Sequence, residues 1–282
     1  MSRAPVLLLA LIAGHLLAAE PKKPGDWNAK RPIEAHSTVF VEEMTWMEVR
    51  DALKAGKTMV IVPTGGVEQN GPYLVTGKHN YIVRAVAEII ARKLGNALVA
   101  PVVPFVPEGD IDPPSGHMQY PGTISLSEDT YERVLTDICA SFRTHGFTGI
   151  VLIGDSGGNQ DGMEAVAARL TKKWAKGKVR VHFIAEYYDY DAVDDWLAKA
   201  GIREGDDGFH DGFAISAPLI AIDPTLVRAK QRQKAGNFSI NGIALAPIET
   251  SAEWGRKILA FRAEGAAAKR EMWVYVSGVH TD

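Results

Sequence analysis

The sequence predicts an α/β fold with a mostly parallel sheet, and three observations carry that expectation. Helical and strand-like apolar patterns alternate from about residue 45 to about residue 200. Strands separated by helices in this way pair in parallel through crossovers and are covered on both faces. The runs at residues 58–62 and 150–153 are apolar without alternation, as in strands buried on both sides. Polar loops rich in glycine follow them: Pro63-Thr-Gly-Gly-Val-Glu68-Gln-Asn-Gly-Pro72 and Gly154-Asp155-Ser-Gly-Gly-Asn159. Ligands of parallel sheets bind beyond the carboxyl ends of the strands, where such loops lie.

Each element has its own signal. Thr45 and Glu48 have capping-box spacing and open a helix to about Ala55, stopped by Gly56. Residues 58–63 form a strand. Asn80 caps a helix with Ile82, Val83, Val86, Ile89 and Ile90 at its apolar positions, ended by Gly95. A strand over 97–105 and a helix over 127–145 come next, joined by a third loop of the same kind, Gly116-His117-Met-Gln-Tyr-Pro-Gly-Thr-Ile-Ser125. Strand 149–153, helix 161–176, strand 179–184 and helix 191–200 complete the series. Three polar loops at strand ends point to one composite site. There is no internal repeat, no GxGxxG and no Walker loop, and the glycines of 154–158 without a lysine are weak grounds for a nucleotide.

Composition narrows the function. With 282 residues, 46% hydrophobic and 23% charged, the chain can bury one large core. A net charge of −3 with dispersed Lys and Arg leaves no footprint for nucleic acid and favours a small ligand. Cys139, the single cysteine, falls within a helix and reads as a small buried hydrophobe. At the N-terminus, Arg3, an apolar run over 5–17 broken by Gly14 and His15, and Ala18-Ala19 form a secretory signal pattern. The expected organisation is a signal peptide over 1–19, a poorly ordered leader over 20–37 and a single domain over 38–282. The mature protein is then periplasmic or secreted, with no membrane attachment after cleavage.

Several motifs occur together in order across roughly residues 38–270. They are Glu68-Gln-Asn-Gly-Pro72, Tyr120-Pro-Gly-Thr-Ile-Ser-Leu126, His145-Gly-Phe, Gly157-Gly-Asn159, His210-Asp-Gly212 and Ala246-Pro-Ile-Glu-Thr-Ser-Ala-Glu253-Trp-Gly-Arg-Lys-Ile. In these the chain resembles the creatininase (creatinine amidohydrolase) family. The resemblance implies a three-layer α/β/α fold, homo-oligomers (often hexamers), a small-molecule substrate and two divalent metals that activate water to open an amide C–N bond.

The family's ligand positions are only partly kept. The usual Glu-Gln-His-Gly retains Glu68 but has Asn70 for the histidine, and the bridging aspartate corresponds to His79. The histidine of Asn-Gly-His-Gly-Gly-Asn corresponds to Ser156, with Asp155 newly beside it. His210 is kept, and Ile215 takes an acidic position. A carboxylate can bridge two cations, whereas a neutral imidazole offers one lone pair. The expectation is therefore one zinc or manganese, held by Glu68, His79 and Asp155 or His117, or none.

In the catalytic reading, Glu68 or Asp155 is the general base and His210 the acid that protonates the leaving nitrogen. Asn70, His117, Ser156 and Asn159 are assigned to substrate binding. Asp155 stands out because an unpaired carboxylate after an apolar strand is costly to bury. His36, His145, His182 and His280 read as structural or solvated, and the aromatic segment 186–190 as packing or a pocket wall. Two function classes follow: an exported hydrolase of a small cyclic or linear amide, or a catalytically silent relative that binds a small molecule or serves as an assembly subunit.

Overall fold

The computed structural model of the protein describes residues 26–205, 210–269 and 272. The expected signal peptide and His280 lie outside them. The chain divides into two compact units, residues 1–34 and 35–282. In the first, residues 26–34 contain turns and bends without helix or strand.

The second unit follows the predicted alternation. Helix α1, Trp46–Lys54, has the capping box: Thr45 Oγ1 accepts from the Glu48 N–H and the Glu48 carboxylate accepts from the Thr45 N–H. Strand β1 is Met59–Thr64 and helix α2 is Lys78–Leu94, closed by Gly95 at φ 75°. Asn80 is not the cap of α2, which starts two residues earlier. Its Oδ1 instead accepts from the Gly66 N–H at 3.1 Å, so it serves an unpaired amide of the preceding loop rather than of the helix. Strand β2 is only Ala97–Val99, shorter than residues 97–105, because Pro101 and Pro104 interrupt the ladder and leave isolated bridges such as Thr64 with Val103.

Helix α3, Glu128–His145, has Ser127 as its cap; then come β3, Gly149–Gly154, α4, Gln160–Lys173, β4, Arg180–Phe183, and α5, Tyr190–Lys199. Beyond the predicted elements lie α6, Phe213–Ile222, α7, Ala229–Lys234, the hairpin β5, Ser239–Ile240, with β6, Ile243–Ala244, and α8, Ile248–Ala267. Helix α6 is apolar all round with Pro218 inside it, so no amphipathic period marks it. None of the described helices is long and apolar enough to cross a membrane.

Strands β2-β1-β3-β4 form one parallel sheet in that order. Alternate residues of β1 feed two cores. Met59 and Ile61 pack with residues of α2, α6 and α8, whereas Val60 and Val62 pack with Tyr131, Leu135 and Cys139 of α3 and Met163 and Val166 of α4. The fold is therefore helix, sheet, helix in three layers. Helix α2 leaves β1 on one face and α4 leaves β3 on the other, so the chain parts beyond the carboxyl ends of these two neighbouring strands. That divergence opens the crevice in which ligands of such sheets bind.

Candidate active site

Glu68 lies in the loop after β1, 2% exposed, and the site is built around its carboxylate. His79 in the first turn of α2 brings Nε2 to 2.9 Å from Glu68 Oε1, and Lys78 Nζ lies 3.3 Å from the same oxygen. His117 Nε2, from the loop after β2, lies 3.1 Å from Oε2, and His210 Nδ1, from the segment before α6, lies 3.4 Å from Oε1. Burial by itself would raise the Glu68 carboxyl. Hydrogen bonds from His210 and His79, with the charges of His79 and Lys78, outweigh it and hold the group well below the usual carboxylate range. Lys78 is 1% exposed and also donates to the His210 carbonyl at 2.7 Å. Burial draws its ammonium below the ordinary lysine range, against the carboxylates of Glu68 and Asp155.

Beneath this layer is a second one. His79 Nδ1 lies 2.8 Å from Asp155 Oδ2, at the end of β3. His79 is thus held between two carboxylates, one facing each ring nitrogen. Asp155 Oδ1 accepts from Arg262 Nη2 of α8 at 2.6 Å and from the Tyr187 and Tyr190 hydroxyls at 2.9 and 3.3 Å. The Arg262 guanidinium also lies over both tyrosine rings, 4.5 and 4.4 Å from their centroids. Burial would raise the Asp155 carboxyl, but Arg262 and His79 together lower it. The carboxylate that looked unpaired in sequence is thus fully paired.

A second carboxyl faces the first. Glu108, in the extended segment after β2, is 5% exposed, and its Oε2 accepts from Ser156 Oγ at 3.0 Å. As an anion its Oε1 has no partner among the described residues. Two carboxylate oxygens can share a hydrogen bond only when one carries a proton, and a protonated Glu108 acquires Glu68 as acceptor. Burial first, then the negative charge of Glu68 and the hydrogen bond to it, push the Glu108 carboxyl up to about 9. The neighbouring carboxyls are thus driven in opposite directions, one ionised and one neutral at pH 7.

Glu68, His79, Glu108, His117, Ser156 and His210 border one cavity of about 310 Å³, together with Tyr188 and glycine-rich backbone. A second cavity of about 520 Å³ also has His79, Tyr188 and His210 in its lining, and Ala214 and Ile215 give it an apolar wall. These volumes suit a small ligand. Of the residues expected from the sequence, Asp155 lies below the cavity, fully buried. Asn70 is turned inward, its Nδ2 donating to the Glu68, Val75 and Thr76 carbonyls. Asn159 likewise fastens the end of β1, its Nδ2 donating to Thr64 Oγ1 and the Gly65 carbonyl. Cys139 is in the core, and burial pushes its thiol up to about 12.

Sequence reading missed Lys78, Glu108 and Arg262 as site residues, whereas Tyr188 belongs to the aromatic segment read as packing or a pocket wall and lines both cavities. Two signals were present: Arg262 falls on the stripe Ile258, Leu259, Ala263 and Ala266 of α8, which is buried, and Glu108 lies in a Pro-Glu-Gly segment after the strand-like run 97–105.

The donor group that converges shares Glu68 and His117 with the expected set of Glu68, His79 and Asp155 or His117, and has His210 as its third member. Glu68, His117 and His210 each bring one ligand atom to within 4.8 Å of the others. Two imidazoles and a carboxylate are suitable donors for one zinc with an open position. Neither His79 nor Asp155 adds a free donor to this group. Both nitrogens of His79 already face carboxylates, Asp155 is taken by Arg262 and two tyrosines, and the Lys78 ammonium lies beside Glu68.

Comparison with known proteins supplies the family. The family model described as creatininase, creatinine amidohydrolase, matches residues 42–270. The chain is 28% identical over 144 residues to a 3-dehydro-scyllo-inosose hydrolase of Thermotoga maritima, covering 51% of this chain and 42% of that protein. It is 30% identical over 116 residues to a creatinine amidohydrolase of Pseudomonas putida, covering 41% and 44%. Both matches thus span less than half of the relative. A mycofactocin precursor peptide peptidase of Mycolicibacterium smegmatis matches at 25% identity over 76% of this chain and 85% of its own length. Among solved structures, a zinc–zinc form of a creatininase mutant superposes with a TM-score of 0.62 at 24% identity, covering 85% of this chain and 100% of that one. A manganese form of creatininase gives 0.61 at 24% identity, covering 84% and 99%. With its family match running from before β1 to the end of α8 and the same fold in these structures, the chain belongs to the creatininase family.

Proposed function

We propose that the protein is a hydrolase that opens a C–N bond of a small amide, cyclic or linear. The observation that carries this reading is the pair of opposed carboxyls, Glu68 and Glu108, bordering one cavity with three histidines and Ser156. Glu68, His117 and His210 are the residues that would hold a single zinc or manganese, and such an ion would supply an activated water and polarise the amide carbonyl. Glu108, kept neutral against Glu68 and oriented by Ser156, gives its proton to the leaving nitrogen. His210, assigned that task from sequence, is better placed as a ligand, and Asp155 orients His79 rather than acting as base. Tyr188 and the wall of Ala214 and Ile215 shape the space for the rest of the substrate.

The reading is tested by assaying a panel of lactams, cyclic ureides and short amides with wild type, Glu68→Gln and Glu108→Gln. Wild-type turnover of at least one amide, lost in both variants, is the expected result. Absence of turnover across the panel, with tight binding of a panel member retained, would favour the silent small-molecule binder. Export and assembly belong to the same proposal: a chain cut near Ala19, acting outside the cytoplasm as a homo-oligomer.

A further inference from the structure

We propose that Lys78 is a resident cation that takes the place of a second metal ion, limiting the centre at Glu68 to one divalent ion. A zinc–zinc relative shares the fold, so the same architecture accommodates two ions elsewhere. Here an ammonium is fixed at the carboxylate. Lys78 Nζ lies 3.3 Å from Glu68 Oε1 and 2.7 Å from the His210 carbonyl, and its side chain is 2% exposed. It therefore touches one candidate ligand directly and tethers the backbone of another.

The placement runs against ordinary helix electrostatics. Lys78 and His79 open α2, whose first turn has no acidic residue, although the positive end of the helix dipole disfavours cations there. A buried ammonium in that position needs a compensating anion, and Glu68 is the nearest. Its charge also opposes any second ion at the same carboxylate, since like charges a few ångströms apart in a partly desolvated site repel strongly. Lys78 is thus a positioning residue that sets metal stoichiometry. The proposal rests on Glu68 being a metal-holding carboxylate but not on turnover, so it and the hydrolase reading can fail separately.

The test measures zinc binding to the full chain by calorimetry and elemental analysis, with thermal melting alongside. Wild type is expected to bind no more than one zinc per chain. Lys78→Met should bind zinc at least about tenfold more tightly, because Glu68 loses its cationic neighbour. Zinc should also raise its melting temperature by more than that of wild type, whereas Lys78→Arg, which keeps the charge, should resemble wild type. Two zinc ions in wild type, or a Lys78→Met protein with unchanged affinity and the same zinc-induced shift, would overturn the proposal. If Lys78→Met is insoluble with and without zinc, the double variant Glu68→Gln/Lys78→Met decides. Recovery of folding supports the charge pairing, and no recovery overturns it.

Discussion

Asp155 has Arg262, Tyr187, Tyr190 and His79 around it, and that pairing dictates how the site responds to substitution and to pH. Arg262→Met leaves a fully buried carboxylate without its guanidinium, which costs about 3–5 kcal/mol for buried pairs. Thermal melting should show the loss, and an unchanged melting temperature would contradict the pairing. Because the Asp155 carboxyl is lowered in the folded state, its contribution is present above the unfolded aspartate value near 3.9 and is lost as pH falls through the folded one. Glu108 has the opposite sign. Its raised carboxyl keeps the proton until pH climbs toward about 9, so stability from it is complete below the unfolded glutamate value and declines over that rise. Turnover should decline over the same rise in pH, because the neutral Glu108 carboxyl is the proton donor. Glu108→Gln removes this decline and lowers turnover by about 10²–10⁴, as a pH–rate profile would show.

At the scale of elements, the site depends on close approaches between loops. A Cβ at Gly158 would lie 1.9 Å from the Pro107 carbonyl oxygen, so the turn after β3 presses against the backbone that presents Glu108. Gly158→Ala is expected to push residues 107–108 away, cutting turnover at least about tenfold while stability falls by roughly 1–3 kcal/mol. Parallel assays of rate and melting separate the two effects, and a fully active Gly158→Ala protein would refute the contact. Helices α6 and α8 meet in the same fashion, since a Cβ at Gly255 would lie 2.0 Å from the Ala217 carbonyl oxygen. Farther along α8, Arg262 reaches Asp155 just beyond the end of β3.

For the whole molecule, the two cores on opposite faces of the sheet leave the carboxyl ends of β1 and β3 as the place where polar side chains converge. Export and assembly, both proposals, are tested on the whole chain. N-terminal sequencing of protein from its native host should begin near Glu20, and retention of Met1 or Ser2 would refute the signal. Light scattering after gel filtration should give a mass several times the 30.6 kDa of one chain; a monomer would refute assembly.

Local pattern was enough for the alternation of strands and helices, the capping box at Thr45, the end of α2 at Gly95 and the convergence of three glycine-rich loops. Those features depend on periodicity and turn chemistry within a few residues. Loop context together with the family resemblance singled out Glu68, His79, His117, Ser156 and His210, which border one cavity. Local pattern was insufficient where partners come from distant segments. Arg262 neutralises Asp155 across 107 positions, and Ser156 meets Glu108 across 48. Lys78 looked like one more dispersed surface charge, and α6 had no period to reveal it. Whether a carboxyl is a base, an acid or a structural anchor depends on burial and on which charges surround it, and only the tertiary structure brings those charges together.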